Sequence, residues 1–152
     1  MFNNIKSLSI PLVFFLFVSF SLSGVLAQEQ KEESLYKRLG GYDAIAAVTA
    51  QLFARMIENE QLGKYFIGLN TESKQKAQQL TVDFICKATG GPCLYLGENM
   101  KVAHTGLGIT DSDWDVSVEI LVGILDEFKV PEKEKGELLS MLSGLKGQIV
   151  EN

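Results

Sequence analysis

The chain has 152 residues, 46% of them hydrophobic and 22% charged, with 14 basic against 19 acidic side chains. That length carries one domain with a single core, and a net charge of −5 with no basic cluster excludes a nucleic-acid binder. One histidine and two cysteines are too few for a zinc site or a multi-histidine metal cluster.

Lys6, the apolar run from Ile10 to Phe20, and the stretch Ser21 to Ala27 read together as a secretory signal over residues 1–27. Val25 and Ala27 occupy the usual cleavage positions. The apolar run falls short of the roughly 20 residues a spanning helix needs, so no membrane attachment is expected after cleavage. The mature chain keeps thirteen basic residues against nineteen acidic ones, a charge of −6. Residues 28–33 read as a disordered lead-in, and residues 34–152 as the folded domain. Export to the periplasm or the exterior places Cys86 and Cys93 where two nearby cysteines are expected to form a disulfide.

Ser34 to Leu39 predicts a short helix, stopped by Gly40-Gly41. From Asp43 to Glu58, Ile45, Val48, Leu52, Phe53, Met56 and Ile57 recur with a helical period and form one broad apolar face. Leu62 to Gly68 is an aromatic turn region. A helix is predicted from Ser73 to Ala88, capped within Thr71-Glu72-Ser73 and ended by Gly90-Gly91-Pro92. Asn99 to Thr105 is a brief helix with Met100 and His104 one turn apart on the same side. Thr110 and Asp113 form a capping box for a helix from Asp111 to Phe128. Pro131 opens a final amphipathic helix running through Leu138, Met141, Leu142, Leu145 and Ile149. No alternating strand pattern appears between residues 34 and 152, so the domain is all-α.

His104, the only histidine, lies among Met100, Val102, Ala103, Leu107 and Ile109, with Gly106 and Gly108 just beyond it. A lone imidazole can still be the axial ligand of a haem iron, because the porphyrin supplies the other four nitrogens. Four motifs support that reading in order: Leu35-Tyr36-Lys37-Arg38-Leu39-Gly40-Gly41, Tyr65-Phe66-Ile67-Gly68, Gly90-Gly91-Pro92 with Tyr95-x-Gly97, and Met100-x-x-x-His104-x-Gly106-Leu107-x-Ile109. Together they resemble the truncated haemoglobins, most closely group I. The resemblance implies a two-over-two helical sandwich, a shortened globin, holding haem b. It implies His104 as the proximal iron ligand, with Phe66 packed against the haem face. Phe84, Tyr95, Met100, Ile109 and Trp114 would line the pocket, and Lys101 would pair with a propionate.

On the distal side many group I members carry a tyrosine that donates a hydrogen bond to bound gas. Leu52-Phe53-Ala54-Arg55 occupies that motif here, so Phe53 stands in its place and cannot donate. Counting back from Gly90 puts Ala77 and Thr81 over the iron; matching a Gln-rich pattern instead puts Gln75 and Gln79 there. The first register is preferred, since the second turns Asp83 toward the core at the cost of a buried carboxylate. It leaves Gln78 or Thr81 as the nearby donor.

The function this implies is reversible binding of a diatomic gas: O2, NO or CO. The alternative is a haem enzyme such as an NO dioxygenase, which needs an external electron donor because the chain carries no flavin or nicotinamide motif. A cofactor-free helical module is the third reading.

Overall fold

The computed structural model describes residues 32–151; the expected signal segment 1–27 and residues 28–31 of the expected lead-in lie outside them. The elements in chain order are α1 (Leu35–Arg38), α2 (Gly41–Glu58), a 3-10 turn (Gly63–Phe66), α3 (Thr71–Ala88), α4 (Met100–His104), α5 (Asp111–Glu127), α6 (Glu132–Ser143) and α7 (Lys146–Ile149). Among the described residues there is no strand. The long helices α2, α3, α5 and α6 share one buried layer, the all-α two-over-two arrangement. α2 packs on both α3 and α5, α1 bridges α2 and α6, and α4 packs on α7.

The four long helices meet at one apolar layer. Ile45 of α2, Val82, Ile85 and Cys86 of α3, Leu121 and Leu125 of α5 and Leu138 of α6 are buried together. Each fully buried aliphatic side chain of this kind contributes about 1.5–3 kcal/mol. Thr49, 1% exposed on the same face of α2, has a hydroxyl with no hydrogen-bond partner.

Several boundaries differ from the sequence-based expectation, among them the start of α2 at Gly41 rather than Asp43. The cap of α3 is Asn70, whose side chain accepts from the Ser73 N–H at 2.8 Å, rather than a residue of Thr71-Glu72-Ser73. The final helix is two helices, because Gly144 ends α6 and the Leu145 N–H turns to the Leu142 carbonyl at 2.8 Å. Glycine is a poor helix former, and the tighter 3-10 bond marks the break. Pro131 sits one position before the first helical residue, Glu132. The ordered domain also begins earlier than residue 34. Glu32 pairs with Lys133, and the Glu33 carbonyl accepts from Arg38 Nε at 3.1 Å, so these two residues of the lead-in are tied down.

Polar ties hold the short elements to the long ones. Arg38 of α1 reaches Glu134 at 2.6 Å and also pairs with Glu137, both on α6. Cys86, at the end of α3, is joined to Cys93 in the following loop, with the Cα atoms 5.8 Å apart.

Asp113 is the largest polar hub. Its side chain is 2% exposed. Its carboxylate accepts from Tyr65 Oη at 2.7 Å, from the Thr110 N–H at 3.0 Å and hydroxyl at 2.7 Å, and from Gln61 Nε2 at 2.8 Å. The capping box of α5 thus also anchors the 3-10 turn. These donors, Tyr65 foremost, hold the carboxyl far below the usual carboxylate range.

A carboxyl depressed on folding stabilises the fold fully above its unfolded-state range, and the contribution fades as pH falls below it. Asp113→Asn is therefore expected to cost about 2–3 kcal/mol at pH 7. The gap from the wild-type protein should narrow below a pH of about 4, where the unfolded carboxylate takes up its proton. Urea unfolding of both proteins at neutral and acid pH measures this; an equal penalty at both would contradict it.

Candidate functional site

A cavity of about 730 Å³ opens between the helices, bounded by α2, α3, α4, α5, α6, α7 and the 3-10 turn. That volume falls within the range of small-molecule and cofactor sites. Its walls are mostly aliphatic and aromatic. Two edge-to-face aromatic pairs stand in them: Phe53 with Phe66, ring centroids 5.9 Å apart, and Phe84 with Tyr95 at 5.3 Å.

His104 lines this cavity at the C-terminal end of α4. The helix starts at Asn99, whose side chain accepts from the Val102 N–H at 2.9 Å. His104 Nδ1–H donates to the Met100 carbonyl one turn earlier at 2.7 Å. In a neutral ring that bond selects the tautomer whose Nε2 carries the lone pair, the form in which an imidazole can ligate a metal. Gly106 and Gly108 follow with φ of 86° and 66°, left-handed conformations that favour glycine. Their N–H groups donate to the two carboxylate oxygens of Glu151 at 2.5 and 2.7 Å. Those bonds hold the Glu151 carboxyl below its ordinary range.

The structure brings Phe53, Phe66, Ala77, Thr81, Phe84, Tyr95, Met100, Ile109 and Trp114 together with His104 around one cavity. Lys101 is exposed and stands outside the lining. On α3, Ala77 and Thr81 face the cavity, while Gln75 is exposed. Gln79 turns outward and donates to Tyr42 Oη at 2.7 Å and Asp83 at 3.0 Å.

Neither candidate distal donor is placed to donate into the cavity. Gln78 is absent from the lining. The Thr81 hydroxyl donates back to the Ala77 carbonyl at 3.0 Å. Other lining hydroxyls are committed in the same way: Tyr65 to Asp113, Tyr95 to the Glu98 carbonyl, Ser117 to the Trp114 carbonyl and Ser143 to the Ser140 carbonyl. The Thr49 hydroxyl is unpaired but shielded, with under 1 Å² accessible.

Sequence reasoning missed the contributions of Leu80, Val118, Leu121, Leu142 and Ile149 to this wall. Helical periodicity marks their faces as inward but does not separate a core position from a cavity position. It also missed Glu151, whose bonds to glycine amides leave no pattern in the sequence.

Comparison with known proteins agrees with this architecture. The family described as bacterial-like globin matches residues 34–151. A group 1 truncated hemoglobin from Mycolicibacterium paratuberculosis is 34% identical over 127 residues, covering 82% of this chain and 91% of that protein. Another, from Tetrahymena thermophila, is 29% identical over 74% of this chain and 91% of its own length. Among solved structures, the truncated hemoglobin of Tetrahymena pyriformis in its Fe(III) form superposes with a TM-score of 0.72 at 22% identity, covering 79% of this chain and all of that one. The 2/2 hemoglobin of Synechococcus sp. PCC 7002, described with covalently attached heme, gives 0.66 at 27% identity over 73% of this chain and 91% of its own. By its two-over-two fold and these matches the chain belongs to the bacterial-like globins, as a group I truncated haemoglobin.

Proposed function

We propose that this protein holds haem in the central cavity and reversibly binds a diatomic gas there, with His104 as the one protein ligand to iron. The observation that carries the reading is the His104 imidazole on the cavity wall, its Nδ1 proton given to Met100 and its Nε2 left free. The residues present fit the group. The cavity is large and mainly apolar, two aromatic pairs offer faces to a flat macrocycle, and the relatives and neighbours are haemoglobins. Cys86 and Cys93 are bonded to each other and no second histidine exists, so the chain offers no thiol or spare imidazole for covalent attachment. That supports haem b.

When bound, haem supplies an iron with an open position for O2, NO or CO. The chain's own contribution is positional. His104 ligates, Phe53 and Phe66 exclude water, and Ala77 and Thr81 bound the opposite wall without offering a free donor. A site of this low polarity gives little help to a polar ligand such as O2 and little penalty to CO. Because the hydroxyls of Tyr65, Thr81, Tyr95, Ser117 and Ser143 are engaged and that of Thr49, though unpaired, is shielded, proton delivery to a bound ligand is unsupported, which favours binding over turnover. Ferrous iron would be maintained by an external electron donor.

Export is part of the same proposal. It rests on the basic and apolar character of residues 1–27 and on the Cys86–Cys93 bond, which suits an oxidising compartment. Intact mass of the protein recovered from its native source should begin at Gln28; a mass that includes residues 1–27 would contradict cleavage.

Two substitutions test the site. His104→Ala should lose the Soret absorption of the purified wild-type protein; an undiminished band would remove His104 as ligand. Phe53→Tyr restores a donor on α2 and should slow O2 release about tenfold, the effect of one added hydrogen bond, while CO release changes little. Stopped-flow ligand replacement measures both, and equal changes for the two gases would contradict a polar effect.

A further inference from the structure

The backbone just beyond His104 is held from outside its own helix. α4 has only five residues, too few to be rigid through its own hydrogen bonds. Beyond it, the Thr105 N–H donates to the Lys101 carbonyl at 2.9 Å and the Leu107 N–H to the His104 carbonyl at 3.2 Å. The intervening amides, Gly106 and Gly108, donate instead to Glu151 Oε1 and Oε2 at 2.5 and 2.7 Å. Glu151 adds a third tie, its own N–H donating to the Ile109 carbonyl at 2.8 Å. The two left-handed glycines turn their N–H groups toward one carboxylate, an anion-holding concavity of the backbone. Hydrogen bonds to an ionised acceptor are roughly twice as strong as neutral ones.

We propose that Glu151 is a proximal positioning residue: by bridging Gly106 and Gly108 it sets the height and tilt at which His104 meets the haem iron. This rests on the haem reading above. The ring is tied to Met100 inside α4, so ring and helix move as one body. What remains to be fixed is the placement of that body. The Asn99 cap defines where the helix begins, and Glu151 together with the packing of α7 restrains the far end. Leu107 and Ile109 lie in the same clasped segment and line the cavity, so releasing the carboxylate slackens the wall as well as the ligand.

The test uses haem-loaded wild-type protein, Glu151→Ala and Glu151→Gln. Glutamine keeps the shape and one carbonyl acceptor but turns an NH2 group toward one of the two glycine amides. Resonance Raman spectra of the ferrous, unliganded proteins report the iron–histidine stretching band, and transfer to an excess of haem-free myoglobin reports haem release. The alanine variant should show a shifted, broadened band and release haem about tenfold faster, the low end of what outer-shell partners of a metal ligand contribute. The glutamine variant should lie between it and the wild-type protein. A lowered melting temperature with band and release rate unchanged in either variant would overturn the proposal, because it would show the clasp to be structural only. A wild-type protein with a Soret absorption but no iron–histidine band would overturn the assignment of His104 itself, and the clasp with it.

Discussion

A cavity of about 730 Å³ runs through the middle of this domain, and the rest of the structure is organised around keeping its walls in place. A helical domain of this size stabilises itself by filling its centre. Here the fully apolar layer is confined to a few residues of α2, α3, α5 and α6, including Ile45, Val82, Leu121 and Leu138. The short elements that complete the walls have no buried residues of their own. They are held by polar and covalent ties: Arg38 to α6, Tyr65 and Gln61 to Asp113, Cys86 to Cys93, and Glu151 to the loop after His104. Each tie joins a short segment to a long helix or to a chain end, which lets the wall persist where packing is interrupted.

The same division of labour shapes the chemistry. Most polar groups near the cavity are engaged in caps, hubs and back-bonds, and the unpaired Thr49 hydroxyl is shielded, which leaves His104 Nε2 as the lone pair of interest among the described residues. Apolar walls around the partly buried His104 ring suit an imidazole ligand and limit competition from water. Phe53 continues this logic on α2, where a ring without a donor contributes shape alone. The proposed haem protein is thus defined by what surrounds one nitrogen more than by any network of reacting side chains.

Much of this was legible in the sequence, for local reasons. The Thr110–Asp113 capping box spans three residues and reads directly as a helix start. The inward register of α3 follows from the distance back from Gly90 and from the cost of burying Asp83. Three features were not legible. Asn70, Thr71 and Ser73 can all cap a helix, so the pattern alone does not choose Asn70. Gly144 lies inside an unbroken apolar period, which hides the break between α6 and α7. The partners of Asp113 at Tyr65 and Gln61, and of Gly106 at Glu151, lie about fifty residues away in the chain and meet only once the helices stack. The distal donors expected from residue type, Gln78 and Thr81, are not placed to serve: Gln78 does not line the cavity and the Thr81 hydroxyl bonds its own backbone.

Titration of the haem-free purified protein with haem, followed in the Soret region, tests the central claim most directly. The account predicts a sharp end point at one haem per chain. Absorbance that climbs in proportion to added haem, with no end point, would contradict it.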